Sequence, residues 1–293
     1  MDADRQSIGR EGRLMFIVDS QVHIWAPESP EEPWPKVSGP EMNAGPRFSA
    51  DDLLREMDAA GVARAVLVPP AHAGNRNELS IAAAMAHPDR FAVMGRLALD
   101  QRANRGLIDS WMDQPGIVGM RLNVRTEPGR SWLSDGTLDW FWPAAERAGI
   151  PLMIHATGVL DRIGEIAHRH PGLKIAIDHL ALHRDVDQKP YVNHATLAAL
   201  CDIAIHPNIA VKASALPYFS AQPYPFADLH APIRQVFDAY GPRRVFWGTD
   251  LTRRTCTYTE AVELFTKALP WLGEADQQWV MGRALCEWLD WSA

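Results

Sequence analysis

The sequence predicts an α/β protein built as a single (β/α)8 TIM barrel with parallel strands. Three observations carry this. Eight short apolar runs follow one another along the chain, and the segment after each has helical spacing. Most runs are continuously apolar rather than alternating, as in a parallel sheet whose outer face is covered. The 293 residues, 47% of them hydrophobic, supply one large core or two ordinary ones, and no linker or composition break divides them.

The runs fall at 14–24, 63–68, 91–97, 117–123, 151–155, 173–179, 209–212 and 244–249. Ser49 and Asp51 open the first helix, and Gly61 stops it, as a glycine past a helix end should. Segments 77–86, 103–113, 138–148, 158–170, 194–205, 226–240 and 259–269 fill the corresponding slots. One more amphipathic stretch, 274–289, follows Gly273. The chain therefore reads as one domain over 1–293, with an N-terminal extension at 1–13 and a C-terminal helical addition at 270–293. A doubly wound sheet is the competing topology. It lacks support because no glycine-rich dinucleotide fingerprint follows the first strand. The proline-rich stretch 27–46 lies between the first strand and its helix, as a lid or a solvated connection over the top of the barrel.

Charge and cysteine content narrow the function classes. With 29 Lys+Arg against 36 Asp+Glu, the net charge is −7, without the basic stripe of a nucleic-acid protein. No apolar run approaches the roughly 20 residues that span a bilayer. The charged N-terminus lacks the apolar core of a signal peptide. Three widely spaced cysteines, Cys201, Cys256 and Cys286, suggest neither a disulfide framework nor a cysteine zinc site. These readings predict a cytoplasmic enzyme for a small molecule, with no nucleic-acid or membrane partner. The aromatic stretch 271–291 would pack on its own barrel or on a second copy in a homo-oligomer.

A barrel places its chemistry at the C-terminal ends of its strands. Strand one closes on Asp19-Ser20-Gln21-Val22-His23, strand four on Arg121 and Asn123, and strand five on His155. Strand six closes on Asp178-His179, strand seven on Lys212 and strand eight on Asp250. Taken singly, each has a bland explanation: a satisfied structural histidine, a helix cap, a buried ion pair. Buried charges and imidazoles are costly unless paired or used, so their gathering at one end points to a site. Asp19 reads as a support for its neighbours. His87, His168, His170 and His206 read as helix ends and connections, and Arg253-Arg254 as a solvated pair.

These strand ends resemble the amidohydrolase superfamily, and within it the amidohydrolase-2 branch. That branch includes the 2-pyrone-4,6-dicarboxylate lactonase-like enzymes, sugar lactonases and metal-dependent decarboxylases. The resemblance is carried by VDSQVHIW (18–25), GMRLN (119–123), LMIHATG (152–158), IAIDHLA (175–181), VKASAL (211–216) and FWGTD (246–250). It departs from the family at the first strand. The family opens with His-x-His, whereas here Gln21 stands at the first position and only His23 matches. An amide oxygen is a far weaker zinc ligand than imidazole.

The resemblance implies a metal-independent lactonase. Asp250 would be the general base toward water, and His23, His155 and His179 would polarise the carbonyl and hold the oxyanion. Gln21 would add an amide N–H. Arg121 and Lys212 would bind an anionic group of the substrate. Trp25, Tyr218 and Trp247 would shape the mouth. The alternative is a divalent-metal-dependent hydrolase or decarboxylase, with one Zn or Mn ion on His23, His155, His179 and Asp250. A non-catalytic binding protein on the same scaffold is a third reading, motivated by the lost first histidine.

Overall fold

The computed structural model describes residues 15–30, 33, 47–184, 189–253 and 255–292. Eight strands run parallel and in chain order around a barrel: β1 (Val18–Val22), β2 (Arg64–Leu67), β3 (Phe91–Gly95), β4 (Ile117–Asn123), β5 (Leu152–His155), β6 (Ile175–Ile177), β7 (Ile209–Ala213) and β8 (Val245–Trp247). Outside them lie α1 (Ala50–Ala60), α2 (Glu78–Ala86), α3 (Phe141–Arg147), α4 (Leu160–Arg169) and α5 (His194–Asp202). The short α6 (Leu216–Phe219), then α7 (Ala227–Tyr240) and α8 (Tyr258–Thr266), complete the ring. α9 (Glu274–Gln278) and α10 (Ala284–Trp288), joined by a wide π turn, end the chain.

The continuous apolar runs have a direct cause: alternate residues of each strand belong to two different cores. Leu67, Val93, Leu152, Ile154, Ile175, Ile177 and Ile209 face the helices. Val66, Met94, Met153, Ala176, Ala210 and Phe246 face inward, where Ala284, Leu285 and Leu289 close the barrel floor from below. Each large side chain so buried is worth about 2 kcal/mol. The C-terminal aromatic stretch thus packs on its own barrel, with Trp288 against Phe246 at 5.7 Å between ring centres.

The barrel is sealed at its seam by side chains. Among the described residues no strand ladder joins β8 to β1. Instead the Asp250 amide donates to the Gln21 carbonyl at 2.9 Å. The Asp19 carboxylate accepts from Thr249 N at 2.9 Å, Thr249 Oγ1 at 2.5 Å and the Tyr258 hydroxyl at 2.8 Å. Burial pushes the Asp19 carboxyl up, and these donors pull it down. The close approach needs Gly248, where a Cβ would come within 2.4 Å of Ser20 Oγ.

Local signals account for the helix ends. Ser49 and Asp52 form a reciprocal capping box, and Gly61 closes α1 with φ 72°. Some expectations change. Segment 103–113 forms two short 3-10 turns, Arg102–Leu107 and Trp111–Asp113, with Trp111 Nε1 pinned to the Gly119 carbonyl at 3.1 Å. Its residues lack a full apolar stripe and include Gly106, so no α-helix gains enough by packing there. Segment 138–148 is helical over α3 only. The sixth strand stops at Ile177, before a turn through Asp178–Ala181. The N-terminal extension 1–13 lies outside the described residues, as does most of the proline-rich loop 27–46. No helix among the described residues is long and apolar enough to cross a membrane.

Candidate active site

Asp250 follows β8 and is almost fully buried, with a left-handed backbone (φ 49°) that turns its carboxylate over the barrel mouth. Its Oδ2 accepts from Arg253 Nε at 2.6 Å. Its Oδ1 lies 3.2 Å from His23 Nε2. His23 Nδ1 is 2.5 Å from the Val68 carbonyl, so it carries a proton, and a bond to Asp250 requires a second proton on Nε2. Burial alone would raise the Asp250 carboxyl, but Arg253, His23 and His179 hold it well below the usual carboxylate range. A hollow of about 20 Å³, room for one water, lies against Asp250, Tyr218 and Arg253.

Two imidazoles stand opposite. His179 sits in the left-handed turn after β6 (φ 53°), its Nδ1 2.8 Å from Ser214 Oγ and its Nε2 3.9 Å from Asp250 Oδ2. Burial pushes it down to about 3, so it is neutral at physiological pH. His155 ends β5 and meets His179 edge to face at 5.4 Å between ring centres. Its Nε2 is buried and makes no hydrogen bond among the described residues, and burial, with His179 and Arg121, keeps the His155 ring well below the ordinary imidazole range. An imidazole nitrogen left unpaired in the interior is an unmet cost unless a ligand meets it.

Beneath them lies a buried ion cluster. Asp178 Oδ2 is 2.6 Å from Arg121 Nε, and Asp178 Oδ1 is 2.9 Å from Lys212 Nζ. Burial would raise Asp178, but Arg121 and Lys212 together hold it far below the carboxylate range. Lys212 is fully enclosed, and its ammonium also donates to Gln21 Oε1 and rests 3.2 Å from Met153 Sδ. Lys212 is thus consumed by Asp178, Gln21 and Met153 and presents no face to the mouth, contrary to the expectation that it would contact an anionic substrate group. Gln21 has its oxygen committed to Lys212 and its Nε2 3.5 Å from His23 Nε2. Among the described residues, no group of three or more His, Cys, Asp or Glu side chains is arranged to hold a metal ion.

The aromatic expectations divide. Tyr218 lies beside Asp250 and separates its small hollow from a second cavity of about 310 Å³ that Arg184 and Glu260 also line. The guanidinium of Arg184 stacks 3.7 Å from the Tyr218 ring centre, and that of Arg253 lies at 4.9 Å. Trp25 lines a cavity of about 260 Å³ with His72 and Arg76 while packing on Phe48. Trp247 does not reach the mouth. It faces outward, with Nε1 on the Ala261 carbonyl at 3.1 Å and its ring stacked on Tyr258. Strand alternation carried that signal, since Phe246 beside it points inward.

Sequence reasoning missed Asp178 as a site residue and took Arg253 for half of a solvated pair. Arg253 is clamped to Asp250, and Arg254 lies outside the described residues. The missed signal was spacing: a guanidinium three residues after the strand-eight carboxylate can fold back on it across a single turn.

Comparison with known proteins adds kinship to this geometry. The amidohydrolase family model matches residues 18–284. An L-fucono-1,5-lactonase from Burkholderia ambifaria is 27% identical over 253 residues, covering 81% of this chain and 80% of that protein. A probable 2-pyrone-4,6-dicarboxylic acid hydrolase from Acinetobacter baumannii, crystallised with citric acid bound, superposes with a TM-score of 0.72 at 17% identity, over 94% of this chain and 100% of that one. A 5-carboxyvanillate decarboxylase from Sphingomonas paucimobilis shares the fold with a TM-score of 0.68 at 18% identity, over 94% and 99% of the two chains.

Proposed function

The chain belongs to the amidohydrolase family, and on that premise we propose that this hydrolase is a metal-independent lactonase opening a carboxylated or cyclic lactone. The carrying observation is the buried Asp250 carboxylate, with Oδ2 held by Arg253, Oδ1 3.2 Å from His23, and a water-sized hollow that the residue lines. The kinship with an L-fucono-1,5-lactonase supports lactone chemistry.

The steps follow from the residues. Asp250 takes a proton from water as the water oxygen attacks the lactone carbonyl carbon. The carbonyl oxygen becomes an oxyanion, which N–H groups of the neutral His155 and His179 stabilise. One such preorganised donor is worth roughly 3 kcal/mol. The ring C–O bond then breaks, and the departing oxygen takes the proton back from Asp250, with His23 bridging the transfer. Held ionised by Arg253 and the histidines, Asp250 is always ready to accept a proton, at some cost in basicity.

The metal-free reading rests on Lys212 and Gln21. The amide oxygen at the first metal-ligand position of the family pattern is taken by the Lys212 ammonium. A dication placed there would meet that fixed charge in a medium of low dielectric. The unpartnered His155 Nε2 is the observation favouring the second reading, a metal-dependent hydrolase or decarboxylase. One experiment separates them. Asp250→Asn should abolish hydrolysis across a lactone panel with the circular dichroism spectrum unchanged, and chelation should leave wild-type turnover intact. Stoichiometric metal on elemental analysis, with activity lost on chelation and restored by re-addition, would replace the first reading with the second.

A further inference from the structure

β3 and β4 pair in the register Gly95↔Met120, and that register carried one residue past the end of β3 sets Arg96 beside Arg121, which acts on it as a neighbouring charge. Register partners on parallel strands send their side chains to the same face. Arg121 points inward, onto Asp178. Arg96 is fixed beside it from two directions: its backbone N–H donates to Asn77 Oδ1 at 2.8 Å, and its Nε donates to the Pro69 carbonyl at 2.8 Å.

In both residues the protein holds the Nε side of the guanidinium. The terminal nitrogens of neither meet an acceptor among the described residues. Two adjacent forks with open ends are costly: burial, reinforced by Arg121, pushes Arg96 down to about 9. Asp178, the carboxylate against Arg121, is shared with Lys212, so one negative charge serves two cations and none is left for Arg96. His72 adds no charge, because burial pushes it down to about 4. This sector of the mouth is short of negative charge, and a planar anion matches paired guanidinium forks.

We propose that Arg96 and Arg121 form a carboxylate subsite, so that the lactone opened here carries a carboxylate, seated across the two guanidinium groups. The inference rests on the lactonase reading for the reaction but not for the binding. It assigns anion recognition to Arg96, on the strand next to Arg121, in place of the enclosed Lys212.

Two measurements test it. The first compares kcat/KM for an acidic sugar lactone, D-glucaro-1,4-lactone, with that for a neutral one, L-fucono-1,5-lactone. The second titrates citrate, a polycarboxylate that is not turned over, by calorimetry. In Arg96→Gln, the acidic-to-neutral ratio of kcat/KM should fall roughly 10- to 100-fold, and citrate affinity should weaken by a similar factor. Arg96→Lys, which keeps the charge but not the fork, should show a smaller loss in the same direction. Citrate binding unchanged in both variants, with unfolding midpoints preserved, would overturn the subsite, as would an unchanged substrate ratio. If neither lactone is hydrolysed while citrate binding still depends on Arg96, the subsite stands and the lactonase reading falls.

Discussion

Replacing Asp178 with asparagine removes one charge from the interior while keeping the side-chain shape. The structure makes this an expensive change. Asp178 is wholly enclosed and neutralises Arg121 at 2.6 Å and Lys212 at 2.9 Å. Breaking a buried pair by deleting one partner costs roughly 3–5 kcal/mol, because the remaining charge stays buried without compensation. At about 2–3 °C per kcal/mol for a chain of this size, the melting temperature of Asp178→Asn should fall by roughly 6–15 °C. The loss should depend on pH. Burial already lowers the Lys212 ammonium, opposed by Asp178. Without Asp178 the folded-state value drops further below the unfolded one, the unfolded chain binds more protons, and stability rises with pH. The deficit against wild type should therefore shrink between pH 7 and pH 9. Urea unfolding of wild type, Asp178→Asn, Lys212→Met and the double variant completes the test. The double variant should be less destabilised than the sum of the singles by at least about 1 kcal/mol. Additive costs, or an Asp178→Asn variant as stable as wild type, would refute the buried-triad reasoning.

Gly248→Ala should destabilise by about 1–3 kcal/mol, because its Cβ would come within 2.4 Å of Ser20 Oγ and 3.0 Å of Asp19 Oδ1 at the seam. Chemical denaturation measures it, and a neutral effect would mean that the seam is not tightly packed. Trp247→Phe should lower stability by about 1–2 kcal/mol while leaving KM unchanged, since the indole faces α8 rather than the mouth. A KM change without a stability change would return Trp247 to the pocket. Stability should also fall on acidification below about pH 6.5, where unfolded histidines take up protons. The folded His179 resists protonation down to about 3, so it alone contributes up to about 1.4 kcal/mol per pH unit in that window. Urea midpoints at pH 7, 6 and 5 that stay level would contradict it.

The strands were legible because both faces of a covered parallel strand are apolar, and each run declares itself without any pattern of alternation. The gathering of His23, His155, His179 and Asp250 was legible for the complementary reason: a titratable residue that closes such a run is brought by the barrel to the same end as the others. What the sequence hid was direction and pairing. Lys212 reads as another strand-end cation, but its long stem carries the ammonium inward beneath Gln21, and only the fold brings Asp178 to meet it. Arg253 was obscured by the left-handed backbone at Asp250, a conformation that an aspartate side chain does not announce. Arg96 was hidden by register, because its partner Arg121 is twenty-five residues away in sequence but adjacent across the ladder from Gly95↔Met120. Segment 103–113 forms no α-helix because its residues lack a full apolar stripe to bury.

The charge of the chain and the charge of its mouth have opposite signs, and the barrel explains how both hold. The net −7 is distributed over a solvated surface, where the field is screened beyond about 8–10 Å at ordinary ionic strength. The mouth is governed by buried groups. Arg121, Lys212 and Arg253 are each anchored to Asp178 or Asp250, and Arg96 stands beside Arg121 with no carboxylate of its own among the described residues. In that enclosed setting each charge acts at a lower effective dielectric than any surface carboxylate. The acidic surface and the cationic groups of the interior thus act over separate ranges, and a field at the mouth is set by the groups nearest it. Burying Arg121 and Lys212 on the single carboxylate of Asp178 leaves one positive charge in excess beneath His155 and His179, and under the proposed mechanism that charge would favour an oxyanion held by the two imidazoles.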